Sequence, residues 1–295
     1  GLQANDYVSC GFDQADVIIC VGYDLVEYHP YLWHPDRDRS IIHIDHSPAE
    51  TDGHYPVAVS VVGDIKHSLD RIAALTTPHQ GAHVRPLRER LVEEMDQHRD
   101  DLEFPVKPQK IIWDLRTALD LEDIVVCDVG AHKMWMARMF RCEYPNTCII
   151  SNGFASMGIA VPGAIAAKLV DPQRHVVAVT GDAGFMMNSQ EIETAIRCKL
   201  PIVILIWNDS SYGLIEWKQM NQFQRISNVR FNNPDFVAYA ESFGARGYRI
   251  KRTADLPAIL KEALSNDVVS IIDCPVDYRE NIKLTDQLGN LVCPT

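Results

Sequence analysis

Apolar and polar positions alternate with two different periods along this chain, and each change of period marks a new element. In the first part, short runs rich in β-branched residues at 15–22, 40–47 and 58–64 predict strands, and the segment 65–75 predicts a helix. Three strands with so little helix would leave one face of a parallel sheet uncovered. We therefore expect residues 1–76 to be the second part of a larger, Rossmann-like domain.

From residue 109 onward, helical segments and short apolar runs follow one another in strict alternation. Apolar runs predict strands at 123–129, 147–152, 175–181, 201–208 and 268–275, and a further strand is predicted at 246–250. Helices are predicted at 109–119, 131–140, 158–170, 188–199, 234–243 and 254–264. Nearly continuous apolar strands that alternate with helices predict an α/β fold with a doubly wound parallel sheet, which binds ligands at the carboxyl ends of its strands.

The segment between these two regions has the composition of a connection. Residues 77–108 combine a stretch with proline and glycine, a charged helical run and a second stretch with proline. The sequence therefore predicts three parts, namely a partial domain at 1–76, a linker at 77–108 and a complete second domain at 109–295.

The overall charge narrows the classes of partner. The 295 residues carry 28 Lys and Arg against 40 Asp and Glu, a formal net charge of −12, and the basic residues form no cluster. Nucleic acids and anionic membranes require clustered positive charge, so neither is expected as a partner.

The N-terminal residues and the cysteines both indicate the cellular compartment of the protein. The first residues lack the basic and apolar regions of a signal peptide, and no apolar run is long enough to span a membrane. The eight cysteines form no C-x-x-C pair, so we expect them to be small core residues rather than disulfides or metal ligands. Together these observations predict a cytoplasmic protein.

Small and acidic residues directly follow three of the predicted strands. Glycine allows the backbone to approach a ligand closely, and carboxylate oxygens are ligands that Mg²⁺ prefers. Because the ends of parallel strands meet at one edge of a sheet, Asp182 and Asp209 are placed to share one cation, with phosphate oxygens completing its shell. Each also has the position of a helix cap, and the residues alone leave that alternative open. The three groups are Asp128-Val129-Gly130, Gly181-Asp182-Ala183-Gly184 and Asn208-Asp209.

The G-D-A segment, followed by one helix, one apolar strand and Asn208-Asp209, resembles the cofactor motif of the thiamine diphosphate-dependent enzymes. The resemblance covers nearly the whole chain and is closest to the acetolactate synthases, particularly the catabolic type. It implies a thiamine diphosphate-binding fold for the second domain and makes the first region part of the family's central domain. It is carried by GFMMNSQEIETAIRCKLPIVILIWND (184–209), DFVAYAESFGA (235–245) and PVDYREN (275–281).

The resemblance also implies a cofactor site with named residues. In the family, the corresponding positions bind Mg²⁺ through the side chains of Asp182 and Asp209 and through the carbonyl oxygen of Ser211. Further contacts to the cofactor are implied for Gly130, His132, Lys133, Ala183, Gly184 and Tyr212.

Two residues of the SNGFASMG segment are implied to act in catalysis. The carbonyl oxygen of Ala155 accepts a hydrogen bond from the 4′-amino group of the aminopyrimidine ring, and Met157 is the bulky side chain beneath the thiazolium ring. This support holds the two rings in a V shape, so that the cofactor deprotonates its own C2. Without the resemblance, Met157 would be interpreted as a core methionine.

Two positions depart from the family pattern. Ala183 stands where the family has the last glycine of G-D-G, which is a small change. Asp209 stands where the family has the second of two asparagines, and its charge lies beside a diphosphate. Two such charges about 4 Å apart repel by about 4 kcal/mol at an effective dielectric of 20. We therefore expect a stronger dependence on the divalent cation than an asparagine would give.

The activity implied is that of an acetolactate synthase, which condenses two pyruvates to 2-acetolactate and CO₂ through a hydroxyethyl-thiamine diphosphate intermediate. The alternatives are a pyruvate oxidase or decarboxylase with the same cofactor, and a noncatalytic nucleotide-binding module. FAD is compatible with the central domain but not favoured, because the chain has no G-x-G-x-x-G. Lys218, and not Trp217, falls where biosynthetic relatives carry the tryptophan that favours 2-ketobutyrate, which favours pyruvate as the acceptor.

The glutamate that activates the cofactor in this family has no counterpart here. In the family it belongs to an N-terminal pyrimidine-binding domain, usually of a partner subunit. The resemblance therefore implies a homodimer or tetramer. It also implies that this chain is a fragment of a longer enzyme or one half of a split enzyme, and that it is inactive alone.

Overall fold

The structure, a computed structural model, describes residues 7–25, 28–50, 52–77 and 84–284. The chain divides after Glu93 into two compact units, and the second of these ends at Ile282. Each unit is built on a parallel sheet of its own.

The first unit contains a three-stranded parallel sheet with the order β1-β2-β3. Buried side chains around Trp33 form its core, together with Ile18, Cys20, Ile41 and Tyr55. The three strands and the helix at 65–75 lie where the sequence predicts them. The elements are α1 (Tyr7–Asp13), β1 (Val17–Val21), a 3-10 helix (Pro30–Leu32), β2 (Ser40–Asp45), β3 (Val57–Val62), α2 (Ile65–Leu75) and α3 (Val84–Asp96), whose last residues belong to the second unit.

Three of the described cysteines depart from the prediction of small core residues, and two of them, Cys142 and Cys198, are exposed. Cys10 is disulfide-bonded, whereas Cys20, Cys127 and Cys274 are buried free thiols. Burial raises the pKa of the Cys127 thiol well above its ordinary value, as expected for a cysteine that acts as a small apolar residue.

The second unit is built on a six-stranded parallel sheet with the order β5-β4-β6-β7-β9-β8. The pairing between all neighbouring strands is parallel. β4 is buried along its whole length, as a strand must be when helices cover both faces of its sheet. The strands are β4 (Ile124–Cys127), β5 (Cys148–Ile150), β6 (Val176–Gly181), β7 (Val203–Asn208), β8 (Arg246–Arg249) and β9 (Ser270–Pro275).

Helices form the outer layers of this unit. Side chains of α6, α8 and α10 pack with alternate strand residues such as Val126 and Ile204 in one core. The neighbouring strand residues are buried as well, and α5 and α11 contact the sheet while α4 packs against both of these helices. None of the described helices is long and apolar enough to cross a membrane. The helices are α4 (Pro108–Ala118), α5 (Ala131–Met139), α6 (Ala160–Val170), α7 (Asp182–Met187), α8 (Glu191–Arg197), α9 (Gly213–Phe223), α10 (Phe236–Ser242) and α11 (Leu256–Leu264), with 3-10 helices at Thr253–Asp255 and Tyr278–Glu280.

The direction of winding reverses at β4. The connection from β4 leads to β5 on one side, and the chain then returns to β6 on the other side of β4. At such a switch point, the loops that follow neighbouring strands diverge and leave a crevice. The loops after β4, β6 and β7 therefore meet at one edge of the sheet.

Candidate metal centre

A cavity of about 120 Å³ lies at the carboxyl ends of β4, β6 and β7. Its position is the one that the switch point of a doubly wound sheet favours for a ligand. Of the residues that the sequence predicts for the site, Lys133 and Ala155 do not line it. Those that line it are Gly130, His132, Met157, Asp182, Ala183, Gly184, Asp209, Ser211 and Tyr212.

Asp182 is 1% exposed and is the first residue of α7. Its Oδ1 accepts a hydrogen bond from the N–H of Ala183 at 2.8 Å. Its Oδ2 accepts hydrogen bonds from the N–H of Ser210 at 2.7 Å and from Nδ2 of Asn233 at 2.6 Å. Burial raises the pKa of this carboxyl, and the hydrogen bonds oppose the shift. Gly181 is the N-cap of α7, so capping does not explain Asp182.

Asp209 follows β7 and lines the same cavity. Burial, and then the negative charge of Asp182, raise the pKa of its carboxyl to about 8. The next helix begins only at Gly213, with Tyr212 as its N-cap, so Asp209 is not a cap either. A cation would relieve the repulsion between the buried carboxylate of Asp182 and the partly buried carboxylate of Asp209.

Gly213 leaves the space that the Asp209 carboxylate occupies. A Cβ at this position would lie 2.6 Å from Oδ2 of Asp209, which is closer than nonbonded atoms approach. The first residue of α9 must therefore be glycine if Asp209 is to keep its orientation.

The loop 208–212 is held in an unusual conformation by the segment that follows α9. Ser210 has a φ of 55°, in the left-handed region that few residues other than glycine adopt. Ser211 pairs with Arg230 in an antiparallel bridge. The Oγ of Ser211 donates to Glu216 at 2.6 Å, and Glu216 forms an ion pair with Arg230 at 3.0 Å. These contacts fix the backbone of Ser211 at the cavity.

His132 is buried beneath the turn that follows β4. It is 2% exposed, and a Cβ at Gly130 would lie 2.7 Å from its ring. Burial lowers the pKa of the imidazole to about 4, so the ring is neutral at physiological pH. Its Nε2 is buried without a hydrogen-bond partner among the described residues. A neutral ring in this position can form a hydrogen bond to a ligand but adds no positive charge.

Asp128, at the end of β4, holds the segment that carries Met157. The carboxylate is 1% exposed and accepts hydrogen bonds from the N–H groups of Gly158 at 2.9 Å and Ala160 at 3.1 Å. Gly158 has a φ of 88°, and a Cβ there would lie 2.7 Å from Nδ2 of Asn188. The backbone next to Met157 is therefore fixed at the cavity by contacts on two sides.

The two remaining predicted residues are both associated with the segment 151–155: Lys133 contacts it, and Ala155 belongs to it. Lys133 donates from Nζ to the carbonyl of Ser151 at 3.1 Å. Ala155 has a φ of 48°, and the neighbouring Phe154 is fully exposed. Neither residue lines the cavity. Their contacts with the cofactor therefore stay predictions.

Several residues of the site were not predicted from the sequence, among them Ala131, Leu214 and Ile215, which line the cavity. Tyr278 and Gly213 line the cavity, and Asn233 binds Asp182. Gly213 could have been predicted, because it is a glycine at the start of a helix and shortly follows an acidic residue at the end of a strand. Asn233 lies in an irregular loop, where neither periodicity nor a strand end points to it.

The donor set fits a small, hard cation. Asp182 and Asp209 bring two carboxylates to the cavity, and Ser211 lines it beside them. No group of three or more His, Cys, Asp or Glu side chains that could hold a metal occurs in the described ranges. A cation at this cavity would therefore take its other ligands from backbone, water or a bound anion, as Mg²⁺ commonly does when it binds phosphates.

Comparison with known proteins identifies the type of domain. Residues 128–274 match the family described as thiamine pyrophosphate enzyme, C-terminal TPP binding domain. Residues 1–72 match the family described as thiamine pyrophosphate enzyme, central domain. These matches confirm the predicted resemblance and the predicted fold class.

Several curated relatives are acetolactate synthases. The acetolactate synthase of Bacillus subtilis is 38% identical over 307 residues, which cover 99% of this chain and 53% of the relative. The catabolic acetolactate synthase of Raoultella terrigena is 36% identical, with 93% of this chain and 50% of the relative covered. The acetolactate synthase large subunit of Haemophilus influenzae is 32% identical, with 96% and 51% covered. The chain spans about half the length of these relatives.

Proposed function

Because the chain belongs to the thiamine pyrophosphate enzymes, we propose that its cavity binds the diphosphate end of thiamine diphosphate through Mg²⁺. The observation that carries the proposal is a pair of carboxylates, the buried Asp182 and the partly buried Asp209, in one cavity at the switch point of the sheet. Neither carboxylate caps a helix. Their repulsion in the absence of a cation supports a role as metal ligands.

The residues around this pair have distinct roles in the proposal. Ser211 supplies its carbonyl oxygen to the cation, and Gly130 and Gly184 let the backbone approach the diphosphate. The N–H groups at the start of α5 add donors for an anion. His132, which is neutral, contributes a hydrogen bond from its buried ring.

Met157 and Ala155 act on the rest of the cofactor in this proposal. When bound, thiamine diphosphate supplies a carbon nucleophile that adds to the carbonyl of a 2-keto acid and accepts the electrons left by the loss of CO₂. Met157, held through Asp128, supports the cofactor from below and fixes its conformation. Ala155 accepts a hydrogen bond through its carbonyl oxygen. Both residues therefore supply geometry, not acid or base chemistry.

The reaction we propose for the whole protein is the condensation of two pyruvates to 2-acetolactate and CO₂. The names of the relatives support this choice, since the acetolactate synthases that match include a catabolic enzyme. Activity also requires a glutamate, supplied by a pyrimidine-binding domain outside this chain and usually by a partner subunit. We therefore propose an assembly of at least two subunits, and we propose that the 295-residue chain alone is nearly inactive.

Two measurements test the proposed function. Isothermal calorimetry should show that thiamine diphosphate binds to the protein with Mg²⁺ and loses its binding in excess EDTA. Absence of binding under both conditions would overturn the cofactor assignment. Incubation of the whole protein with pyruvate, Mg²⁺ and thiamine diphosphate should then yield acetolactate. Acetaldehyde or acetyl phosphate in its place would reject the synthase and indicate a decarboxylase or an oxidase.

A further inference from the structure

We propose that Asn233 is a positioning residue that leaves the Asp182 carboxylate only one oxygen for a cation, and that it thereby makes the site prefer Mg²⁺ to Ca²⁺. This inference rests on the proposed function, because it needs Asp182 to be a metal ligand. It goes beyond that function by assigning the choice of cation to a residue that binds neither the cation nor the cofactor.

The surroundings of Asn233 determine the orientation of its amide. Nδ2 donates to Oδ2 of Asp182 at 2.6 Å and to Oδ1 of Asn208 at 3.0 Å, and it also lies 3.3 Å from Oγ of Ser210. A carbonyl oxygen in this place would face the acceptor oxygens of Asp182 and Asn208, so the group here must be the NH₂. Oδ1 of Asn233 is buried with no hydrogen-bond partner in the part of the chain that the structure describes. The side chain is therefore held in place through its donors.

These donors occupy one oxygen of Asp182 completely. A carboxylate oxygen offers about two lone-pair sites. The bonds from Ser210 and Asn233 fill both sites on Oδ2, whereas Oδ1 accepts from Ala183, and the backbone N–H of Asp209 also stabilises the carboxylate. With Asn233 in place, the carboxylate can offer a cation one oxygen but not both.

Asn233 is itself held by a chain of polar contacts across the sheet. Asn208, at the end of β7, donates from Nδ2 to Oδ1 of Asp273 at 2.8 Å. Asp273, on β9, is 3% exposed and accepts at Oδ2 from Nε of Arg249 at 2.9 Å. Arg249 also binds Asp235, the N-cap of α10, at 2.8 Å. These contacts therefore orient the side-chain carbonyl of Asn208 toward Nδ2 of Asn233.

The coordination chemistry of the two cations turns this arrangement into selectivity. Mg²⁺ requires near-ideal octahedral geometry, whereas Ca²⁺ takes six to eight oxygens and accepts carboxylates through both oxygens. A carboxylate limited to one oxygen suits Mg²⁺. If the donor of Asn233 is removed, Oδ2 becomes available and the carboxylate can bind with both oxygens, which favours Ca²⁺.

The test compares the affinities of the protein for the two cations. Asn233→Ala removes the donor, and Asn233→Leu removes it while keeping a similar volume, should the alanine variant fail to fold. Asn232→Ala is the matched control, because Asn232 is an exposed neighbour. Circular dichroism first establishes that each variant is folded. Isothermal calorimetry with MgCl₂ and with CaCl₂, each in the presence of thiamine diphosphate, then gives both dissociation constants.

We expect the Asn233 variants to bind Mg²⁺ roughly tenfold more weakly, the scale of a lost outer-shell contact, and Ca²⁺ as well as before or better. The ratio of the two dissociation constants should be unchanged in Asn232→Ala. An equal loss for both cations in the Asn233 variants, or an unchanged ratio, would overturn the inference. If the unaltered protein binds neither cation with thiamine diphosphate, the proposed function itself fails. Normal Mg²⁺ binding with an unmoved ratio leaves that function intact and rejects only the role of Asn233.

Discussion

Asp209 is the residue whose charge has the largest effect on the proposed site. Its carboxylate is partly buried next to Asp182, and desolvation, followed by the negative charge of Asp182, raises its pKa to about 8. The charge is unfavourable in the metal-free protein and favourable once a dication is present. We therefore expect Asp209 to destabilise the cation-free protein and to strengthen the binding of a cation.

Replacement of Asp209 by asparagine should weaken the binding of Mg²⁺. The amide keeps the size and one oxygen donor of the side chain but removes its charge, so we expect affinity to fall by about tenfold or more. Calorimetric titration with MgCl₂ in the presence of thiamine diphosphate measures this directly. Unchanged affinity together with retained activity would contradict the assignment of Asp209 as a ligand.

The binding of Mg²⁺ should also depend on pH below about 8. In the metal-free protein Asp209 is protonated below its raised pKa, and only the carboxylate binds the metal. Affinity should therefore fall by roughly tenfold for each pH unit below 8, with release of about one proton per cation. Calorimetry in two buffers of different ionisation enthalpy counts that proton. The Asp209→Asn variant should release none, and equal release from both proteins would refute the titration of Asp209.

Gly213→Ala should disturb the same carboxylate from the other side. The added Cβ would lie 2.6 Å from Oδ2 of Asp209, so the carboxylate must move away from its present position. We expect Mg²⁺ affinity to fall by about tenfold, the scale of losing a contact that orients a ligand. Gly11→Ala in α1 is the control, because a Cβ there has only ordinary contact, at 3.8 Å from Leu87. Normal metal binding by Gly213→Ala would show that the orientation of Asp209 is unimportant.

At the residue scale, the sequence indicated the two acidic residues of the cavity but not what surrounds them. Asp182 and Asp209 could be predicted because a strand end is visible as the end of an apolar run. Asn233 could not, because its position depends on how an irregular loop folds back over another. The neutral state of His132 results from burial, which its neighbours in the sequence do not reveal.

At the scale of elements, the end of β4 connects the metal site to the segment that carries Met157. Asp128 lies directly after this strand, and its carboxylate binds backbone N–H groups at the start of α6. Asp123, directly before the same strand, binds backbone groups at the opposite end of the sheet. β4 thus has a buried carboxylate at each end, and each carboxylate binds a different segment of the chain.

This arrangement predicts different effects for two similar substitutions. Asp128→Asn replaces one acceptor oxygen by an NH₂ group, so a buried backbone N–H faces another donor and loses its hydrogen bond. We expect this change to destabilise the fold by about 1–3 kcal/mol. It should also increase hydrogen exchange at the backbone of 157–160, which chemical denaturation combined with exchange mass spectrometry can measure. Asp123→Asn should have a similar cost in stability, without faster exchange at 157–160. If exchange there responds equally to both, Asp128 has no special role in holding Met157.

Most of the elements could be predicted from the sequence, but α7 and α9 were not, and the ends of the others were predicted only in part. The central strands β4, β6, β7 and β9 lie within predicted apolar runs, because strands buried on both faces leave a continuous apolar signal. The edge strands β5 and β8 are less buried and also lie within predicted ranges. α7 is different: it begins at Asp182 itself and is six residues long, too short for a periodic pattern to register. The geometry of the metal site therefore depends on the element that the sequence describes least well.

At the scale of the whole molecule, we propose that the chain contributes one side of a shared site. It matches the central and C-terminal domains of its family and spans about half the length of its relatives. The cavity holds residues for the charged end of a cofactor, whereas the activating glutamate is proposed to come from elsewhere. The order of the strands was not predictable in detail, because alternation of strands and helices fixes a parallel sheet but not which strands are neighbours.

The two neighbouring buried acids have a practical consequence for handling the protein. In a chelating buffer, the native state holds a proton on Asp209 that the unfolded chain gives up above a pKa near 3.8, so resistance to heat should decline as pH rises from about 4 to 8. Adding magnesium salt should reverse this decline, and the melting temperature should climb with the logarithm of its concentration. A simple fluorescence melt would then serve as a titration of the site, and shelf life would depend on the salt in the storage buffer.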